Sequence, residues 1–483
     1  MLFNSLQFGL FLPIVFLLYW FVFDRLIRRS KYQLRWQNAF VVVASYVFYG
    51  WWDWRFLILI AFTSFCSWGS GLLISQAKSK PKAKVWMWLN VAVNLSILLT
   101  FKYYDFFVVE FARLFNFSSD GILLKVILPV GISFYTFQAL SYSIDVYRGK
   151  IQSTKDVVAF FAFISFFPQL VAGPIERATN LLPQFQRKRV FDYDTALDGM
   201  RQILWGLFKK MVVADNCAKY VDQALSVYSN QSGSTLLLAA FFFTFQIYGD
   251  FSGYSDIAIG TAKLFGIKLM RNFNVPYFSR DIAEFWRRWH ISLTTWFRDY
   301  VYIPLGGSRV GKTKIVRNTF VIFLLSGFWH GANWTFIAWG AYHAVLFLPL
   351  ILMGKNRKYT NQIADGRFLP TLKEAGQMLL TFSLVVLGWI VFRAESIGQA
   401  WFIVRRIFSV SLFEVPFMYI GTLKTLLLVA FMLILEWITR KRDHALQYGK
   451  DTPSWLAWIS SMVVVLITLE FAANSQTFIY FQF

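Results

Sequence analysis

One histidine of the chain lies where a titratable side chain is costly. His330 stands between two glycines in SGFWHGANWT (326–335), and no Asp, Glu, Lys or Arg occurs from Asn318 to Gly354. Ionisable residues inside a membrane are functional by default, and burial favours a neutral imidazole that can act as a general base. The alternative is a structural histidine that hydrogen-bonds between helices. We predict a catalytic role for His330.

The other three histidines lie in different settings. His290 occurs in FWRRWHIS, where it is either an interfacial side chain or a second polar group at the inner mouth of the same cavity. His343 lies in the second half of the apolar run and is predicted to pack. His444 lies in a basic loop and is predicted to be solvated.

Two carboxylates lie in another apolar stretch. Asp250 and Asp256, in QIYGDFSGYSDIAIG, are the only charged residues between Asp222 and Lys263. Such carboxylates must face water, each other or a cation. They either line a polar pathway or pair with a Lys or Arg of a neighbouring helix, and both interpretations stay open here.

Basic residues are concentrated in region 271–317, which carries nine Lys and Arg against three acids. The cluster fits anionic lipid head groups or the phosphates of a soluble ligand. Within it, GGSRVGKT (306–313) satisfies a phosphate-loop pattern, but that chemistry needs a parallel sheet for which this region is too short. We interpret the match as a glycine-rich turn. The candidate anion-binding residues are Arg287, Arg288, Arg298 and Arg309.

Composition indicates the environment in which these residues must be positioned. Hydrophobic residues make up 57% of the 483 residues and charged residues only 15%, against roughly 25% charged in soluble domains. The chain is therefore predicted to be an all-α polytopic membrane protein with ten to twelve spans. The net charge of +22 fits basic loops retained in the cytoplasm, so no nucleic-acid partner is expected.

The run that holds His330 is too long for one span. As a single helix, 318–354 would reach about 55 Å against a hydrocarbon core of about 30 Å. It must therefore break, and Gly327 and Gly331 are the favoured places. Region 164–178 is predicted to be interrupted or re-entrant, 234–262 to be a span with or without a break, and 271–317 to form interfacial amphipathic helices on the cytoplasmic face. All belong to one membrane domain, 1–483.

Two long strings then carry a family resemblance. FWRRWHISLTTWFRDYVYIPLGGSR and SGFWHGANWTFIAWGAYH resemble the membrane-bound O-acyltransferase (MBOAT) family, in particular its bacterial branch concerned with alginate O-acetylation. Further stretches agree, from SYVFYGWWDWRFL (45–57) to FIYFQF (478–483), so the resemblance runs nearly end to end.

The resemblance implies a helical shell around a tunnel that joins a cytoplasmic thioester to an acceptor hydroxyl outside. It implies that His330 is the essential histidine and His290 the second one, with Trp329 and Asn333 as orienting groups. The implied donor is acetyl-CoA, bound at its phosphates by the arginines, with no permanently bound cofactor. The implied partners are membrane lipids, a polysaccharide acceptor and an extracytoplasmic SGNH-type protein, and the implied location is the bacterial cytoplasmic membrane.

Two other classes of function fit part of the sequence. A transporter or flippase would use Asp250, Asp256 and His330 as ion or proton relays. A non-catalytic scaffold for a polysaccharide synthase would need no chemistry at His330. The motif resemblance favours the acyltransferase.

Overall fold

All regular structure in the part of the chain that is described is helical. The computed structural model describes residues 1–449, 452–473, 476 and 478, and these contain α-helices joined by short π- and 3₁₀-helical turns. The predicted all-α membrane architecture is confirmed. Residues 479–483 of the C-terminal motif lie outside the described residues.

Eight helical segments among the described residues are long and apolar enough to cross a bilayer, judged by length and composition. The further segments counted as spans from sequence also form helices, but these are shorter or carry more polar residues. Region 234–262 lies in one unbroken helix of 32 residues. The eight segments are Leu6–Ile27, Phe56–Gln76, Lys80–Lys102, Gly233–Leu264, Trp334–Leu352, Leu372–Arg393, Ile420–Ile438 and Ser454–Phe471.

The chain divides into two compact units, and the single domain over 1–483 stays a prediction. Unit 1 comprises Met1–Met200 with Ala258–Met270. Its helices are α1 Leu6–Leu17, α2 Asp24–Ile27, α3 Gln33–Gly50, α4 Phe56–Gln76, α5 Lys80–Lys102, α6 Tyr104–Phe115, α7 Ile132–Tyr147, α8 Val157–Ser165, α9 Phe167–Leu170, α10 Ala178–Phe185 and the first half of α11 Tyr193–Leu207, with a π-helical turn at Leu18–Phe23.

Buried polar side chains join three helices of unit 1. Asn90 on α5 donates from Nδ2 to Oγ of Ser143 on α7 at 2.6 Å, and its Oδ1 accepts from Ser67 Oγ on α4 at 3.2 Å. Hydrogen bonds of this kind hold helices together where apolar packing alone gives little preference between lipid and protein. The predicted interruption in 164–178 is also observed, because α8 ends at Ser165 and the chain is irregular from Val171 to Arg177.

Unit 2 comprises Arg201–Ile257 and the chain from Arg271 onward. It holds π-helical turns at Phe208–Ala214 and Arg298–Tyr302 and 3₁₀ turns at Tyr228–Asn230, Pro276–Phe278 and Val410–Phe413. Its helices are α12 Asp215–Leu225, most of α13 Gly233–Leu264, α14 Ile282–Arg288, α15 Ile291–Phe297, α16 Lys312–His330, α17 Trp334–Leu352, α18 Leu372–Arg393, α19 Ile397–Ile407, α20 Ile420–Ile438 and α21 Ser454–Phe471.

The predicted break in 318–354 is confirmed. Helix α16 ends at His330, Gly331 is extended, and Asn333 caps α17 by accepting the Thr335 N–H at 3.0 Å. The two helices then pack antiparallel at very close range, because Gly327 faces the backbone of α17 and Gly340 faces the backbone of α16. Glycines allow this approach since they carry no Cβ.

The helices of 271–317 are short, and most of their residues are buried. Glu284, Trp289 and His290 are each 1% exposed. An amphipathic helix at an interface would keep its charged face in water. These helices therefore pack within unit 2, and their placement at the cytoplasmic face of the membrane stays a prediction.

The close crossing of α16 and α17 gives a test of the break. Gly327→Ala would drive a Cβ into the Phe336 carbonyl oxygen, so we expect a loss of about 1–3 kcal/mol of stability, seen as a lower thermal midpoint of the detergent-solubilised protein. Gly376→Ala on α18 is the matched control, because a Cβ there meets nothing within 4 Å. Equal midpoints for the two variants would contradict the close crossing.

Candidate active site

His330 lies at the last residue of α16 and is 4% exposed. Its ring packs edge-on against Trp339 of α17, with ring centroids 5.2 Å apart, and against Phe392 of α18 at 5.3 Å. The following glycine is needed here, because a Cβ at Gly331 would overlap the ring of Phe336. The end of the helix therefore places the imidazole inside unit 2, among aromatic side chains.

His290 is held in an unusual backbone conformation. Its φ of 42° and ψ of 55° are left-handed, which costs a non-glycine residue of order 1–3 kcal/mol and commonly marks a functional constraint. The neighbouring Ile291 N–H is fixed by donating to the Asn272 carbonyl at 2.9 Å. The surrounding structure thus determines where this imidazole points.

The side chain of Asn272 also decides the tautomer of His290. Its Oδ1 accepts from Ser292 Oγ at 2.9 Å and from the Ser292 N–H at 3.3 Å, so this oxygen can only be an acceptor. The His290 Nδ1 lies 3.1 Å from the same oxygen and must therefore carry its proton. Asn272 Nδ2 donates in turn to Ser255 Oγ at 3.1 Å.

The remaining nitrogen of His290 is a bare acceptor. Burial lowers the pKa of His290 from 6.5 to about 3, so the ring is neutral at physiological pH. Its Nε2 has no hydrogen-bond partner among the described residues. A neutral imidazole with one oriented lone pair can accept a proton or position a hydroxyl.

Trp329 brings the two predicted histidines together. Its ring centroid lies 4.9 Å from that of His330 and 5.8 Å from that of His290, edge-on to both. On its other side, His290 packs edge-on against Phe251 of α13 at 4.6 Å. The structure thus gathers His290, Trp329 and His330, which the sequence separates by about 40 residues.

A cavity of about 410 Å³ in unit 2 is bounded by α14 to α17 and the loop after α17. Thr319, Phe323 and Ser326 of α16 line it. These residues share one helical face, and the next residue on that face is His330, about 6 Å beyond Ser326 along the axis. The lined face of α16 therefore leads to the catalytic candidate.

The four candidate arginines have different surroundings. Arg287 and Arg298 line the cavity. Arg288 does not, since it pairs with buried Glu284 at 2.9 Å. Arg309 lies exposed on the turn before α16 and is likewise absent from the cavity lining. Arg357 lines the cavity and was missed, although the basic loop at the end of the apolar run was a signal for it.

The two intramembrane carboxylates pair with lysines. Lys209 Nζ lies 2.7 Å from Asp256, and Lys210 Nζ lies 2.6 Å from Asp250 and 2.8 Å from Asp215. Both lysines sit on the π-helical turn at Phe208–Ala214, where the sequence LFKKMVV was a signal for them. Of the two interpretations left open by sequence, pairing with a cation is the one observed.

Several further side chains have structural roles. Asn333 caps α17 and donates to the Glu395 carbonyl at 3.1 Å, so it orients the backbone after His330. His444 is 5% exposed, which corrects the predicted solvation, because the turns after α20 fold over it. Gly306 and Gly307 have φ of 101° and 55°, as a glycine-rich turn requires, and no strand precedes them in the described part of the chain.

Comparison with known proteins adds independent information. Residues 47–374 match the membrane-bound O-acyltransferase family. The chain is 42% identical to the probable alginate O-acetylase AlgI of Pseudomonas aeruginosa over 378 residues, covering 78% of this chain and 70% of that protein. It is 38% identical to the protein of the same name from Pseudomonas putida over 474 residues, covering 93% and 95%.

A third relative is named for a different acceptor, peptidoglycan. The peptidoglycan O-acetyltransferase of Helicobacter pylori is 32% identical over an alignment of 522 residues, covering 98% of this chain and 95% of that protein. The matched family region contains His290, His330 and the cavity residues named above.

The buried neutral state of His290 predicts a pH dependence of stability. A histidine whose folded pKa is depressed is protonated only on unfolding at mildly acid pH, so its stability contribution is lost as pH falls below 6.5. Going from about pH 7.5 to about pH 5.5 should cost roughly 1.4 kcal/mol through this residue. Thermal midpoints across this pH range should fall less steeply for His290→Asn than for the unmodified protein. Equal slopes of midpoint against pH for the two proteins would refute the neutral, buried state of His290.

Proposed function

The chain belongs to the membrane-bound O-acyltransferase family, and from this premise we propose that it transfers acetyl groups from cytoplasmic acetyl-CoA to an acceptor outside the membrane. The chain is a multi-pass membrane O-acyltransferase. The observation that carries the finer proposal is the pairing of His290 and His330 on Trp329, beside a cavity bordered by arginines.

The cavity suits a donor with a charged head and an uncharged arm. Arg287, Arg298 and Arg357 supply guanidinium groups to its wall, and guanidinium groups bind phosphates in a bidentate manner. Phe323, Phe347 and Trp286 add apolar side chains to the lining, beside the hydroxyl groups of Thr319 and Ser326. A nucleotide held by the arginines would direct its thioester arm along the lined face of α16 toward His330.

The chemistry needs a base and an oriented acceptor. In the proposed step an imidazole takes the proton of the acceptor hydroxyl and the hydroxyl oxygen attacks the thioester carbonyl. The C–S bond breaks as the ester forms, and the leaving thiolate takes the proton back from the imidazolium. We assign the base to His330. His290, held neutral by burial with Nε2 unprotonated, would position the hydroxyl or the thioester.

The acceptor, partner and location rest on the relatives. Two relatives are named probable alginate O-acetylase and a third is named peptidoglycan O-acetyltransferase, so an envelope polysaccharide is the proposed acceptor class. We propose that an extracytoplasmic SGNH-type protein completes the transfer. The proposed location is the bacterial cytoplasmic membrane, with the basic loops at 24–36 and 77–84 inside.

Ion relay by Asp250 and Asp256, the basis of the transporter alternative, has less support. Both carboxylates form short ion pairs with buried lysines. Such pairs are costly to break because each partner would be left as an isolated buried charge. The structure therefore offers this alternative no mobile carboxylate at these positions.

The central test measures acetyl transfer by purified protein supplied with radiolabelled acetyl-CoA. His330→Ala should lower thiol release and acetyl transfer by at least about 100-fold, the typical contribution of a general base. His444→Ala, which removes a buried histidine outside the site, is the matched control and should retain most of the acetyl transfer, because His444 does not line the cavity. Undiminished transfer by a folded His330→Ala protein would overturn the assignment.

A second test concerns donor binding. Arg298→Ala combined with Arg357→Ala should raise KM for acetyl-CoA by at least about 100-fold, because each lost charged hydrogen bond removes roughly 1.5–3 kcal/mol. The turnover number should change little, since these groups hold the donor equally before and during reaction. Arg405→Ala, an exposed arginine on α19, controls for net charge. An unchanged KM in the double variant would return the arginines to a role at lipid head groups.

A further inference from the structure

His343, predicted from sequence only to pack, has an unexplained feature. It lies on α17, is 0% exposed, and neither Nδ1 nor Nε2 has a hydrogen-bond partner among the described residues. Its ring packs edge-on against Trp286 at 5.0 Å and against Trp339 at 4.9 Å. A purely structural ring at this site would be expected to be a phenyl group, because buried polar atoms without partners destabilise a fold.

The neighbouring rings share this property. The indole Nε1 atoms of Trp286 and Trp339 are also buried without a partner among the described residues. Two indole donors and one imidazole, which offers both a donor and an acceptor, are thus grouped in ring-to-ring contact. Buried unsatisfied groups clustered in this way indicate a polar species that the chain itself does not supply.

Helix register places this cluster at the inner end of the cavity. Ile351 and Phe347 of α17 line the cavity, and His343 is the next residue on the same helical face, about 6 Å further along the axis. Trp286 itself lines the cavity. Trp339, one turn beyond His343, packs against His330. His343 therefore lies between the open cavity and the catalytic candidate.

We propose that His343 is a donor-binding residue that hydrogen-bonds an amide of the uncharged arm of the thioester donor. An amide presents one N–H and one carbonyl, so one of these groups can pair with the complementary nitrogen of a neutral imidazole. This inference rests on the proposed acetyl-CoA-dependent function and deepens it. This role is distinct from that of the arginines, which bind the phosphates of the donor in the proposed function.

The Nε2 edge of His343 packs closely against α18. A Cβ at Gly388 of α18 would lie 2.9 Å from His343 Nε2, so the facing helix carries no side chain there. His343→Phe would extend toward that backbone, and its failure would be hard to interpret. Pairs of nearly isosteric replacements avoid this problem: Asn with Leu for Nδ1, and Gln with Met for Nε2.

The test measures KM and kcat of these four variants with acetyl-CoA and with acetyl-pantetheine, which lacks the nucleotide. KM should be about 3- to 10-fold higher for His343→Leu than for His343→Asn, or for His343→Met than for His343→Gln. This is the fold-change expected from the loss of one neutral hydrogen bond. The same ratio should hold for both donors, whereas Arg298→Ala with Arg357→Ala should affect acetyl-CoA alone. Tyr342→Phe, which removes only the structural bond to the Leu384 carbonyl, should leave KM unchanged.

The outcomes separate the two proposals. Equal KM values within both isosteric pairs, in a protein that transfers acetyl groups, would show that His343 only packs and would overturn this inference alone. A difference in KM within a pair that is seen with acetyl-CoA but not with acetyl-pantetheine would place the contact of His343 on the nucleotide. That result would also overturn this inference. Absence of thiol release by the unmodified protein from either donor would overturn the proposed function, and this inference with it.

Discussion

The shortage of water inside a bilayer is the constraint on which the other features depend. A polar group there must find a partner within the protein, since each unsatisfied group costs several kcal/mol. The break after His330 obeys this rule, because Asn333 caps the new helix by accepting the Thr335 N–H. In unit 1, Asn90 joins three helices by the same rule. His290 and His343 are among the groups that break this rule, and their position near His330 points to a function.

The strain at His290 is the clearest example of such a trade. A left-handed backbone at a histidine is unfavourable by itself and persists only if its surroundings over-determine it. Asn272 does so by binding both the backbone and the ring of this short segment. The result is an imidazole with a fixed direction, one tautomer and no charge. Preorganisation of this kind removes reorganisation from the reaction step.

Basic residues of the same region have three different roles. Arg288 neutralises buried Glu284, Arg298 borders the cavity, and Arg309 stays in the exposed turn. The charge pattern alone does not distinguish these roles, since all three lie in one basic stretch of the sequence. Lys209 and Lys210 lie outside this basic stretch, and their buried ion pairs neutralise the carboxylates of α13. Basic residues that form buried ion pairs are therefore not available to bind lipid head groups or a phosphate ligand, although they count toward the net charge.

The sequence by itself determined the class of the protein and the break at His330. The composition excludes a water-soluble protein, and a 37-residue apolar run is too long to cross a bilayer as one helix. Both conclusions follow from residue types and the length of one segment, without any tertiary contact. Only the tertiary structure decided that His290 and His330 share Trp329, that Asn272 sets a tautomer, and that Arg298 and Arg357 line the cavity whereas Arg288 does not. These facts depend on contacts between segments far apart in sequence. A side chain's partners are chosen by packing, which residue type and spacing do not encode.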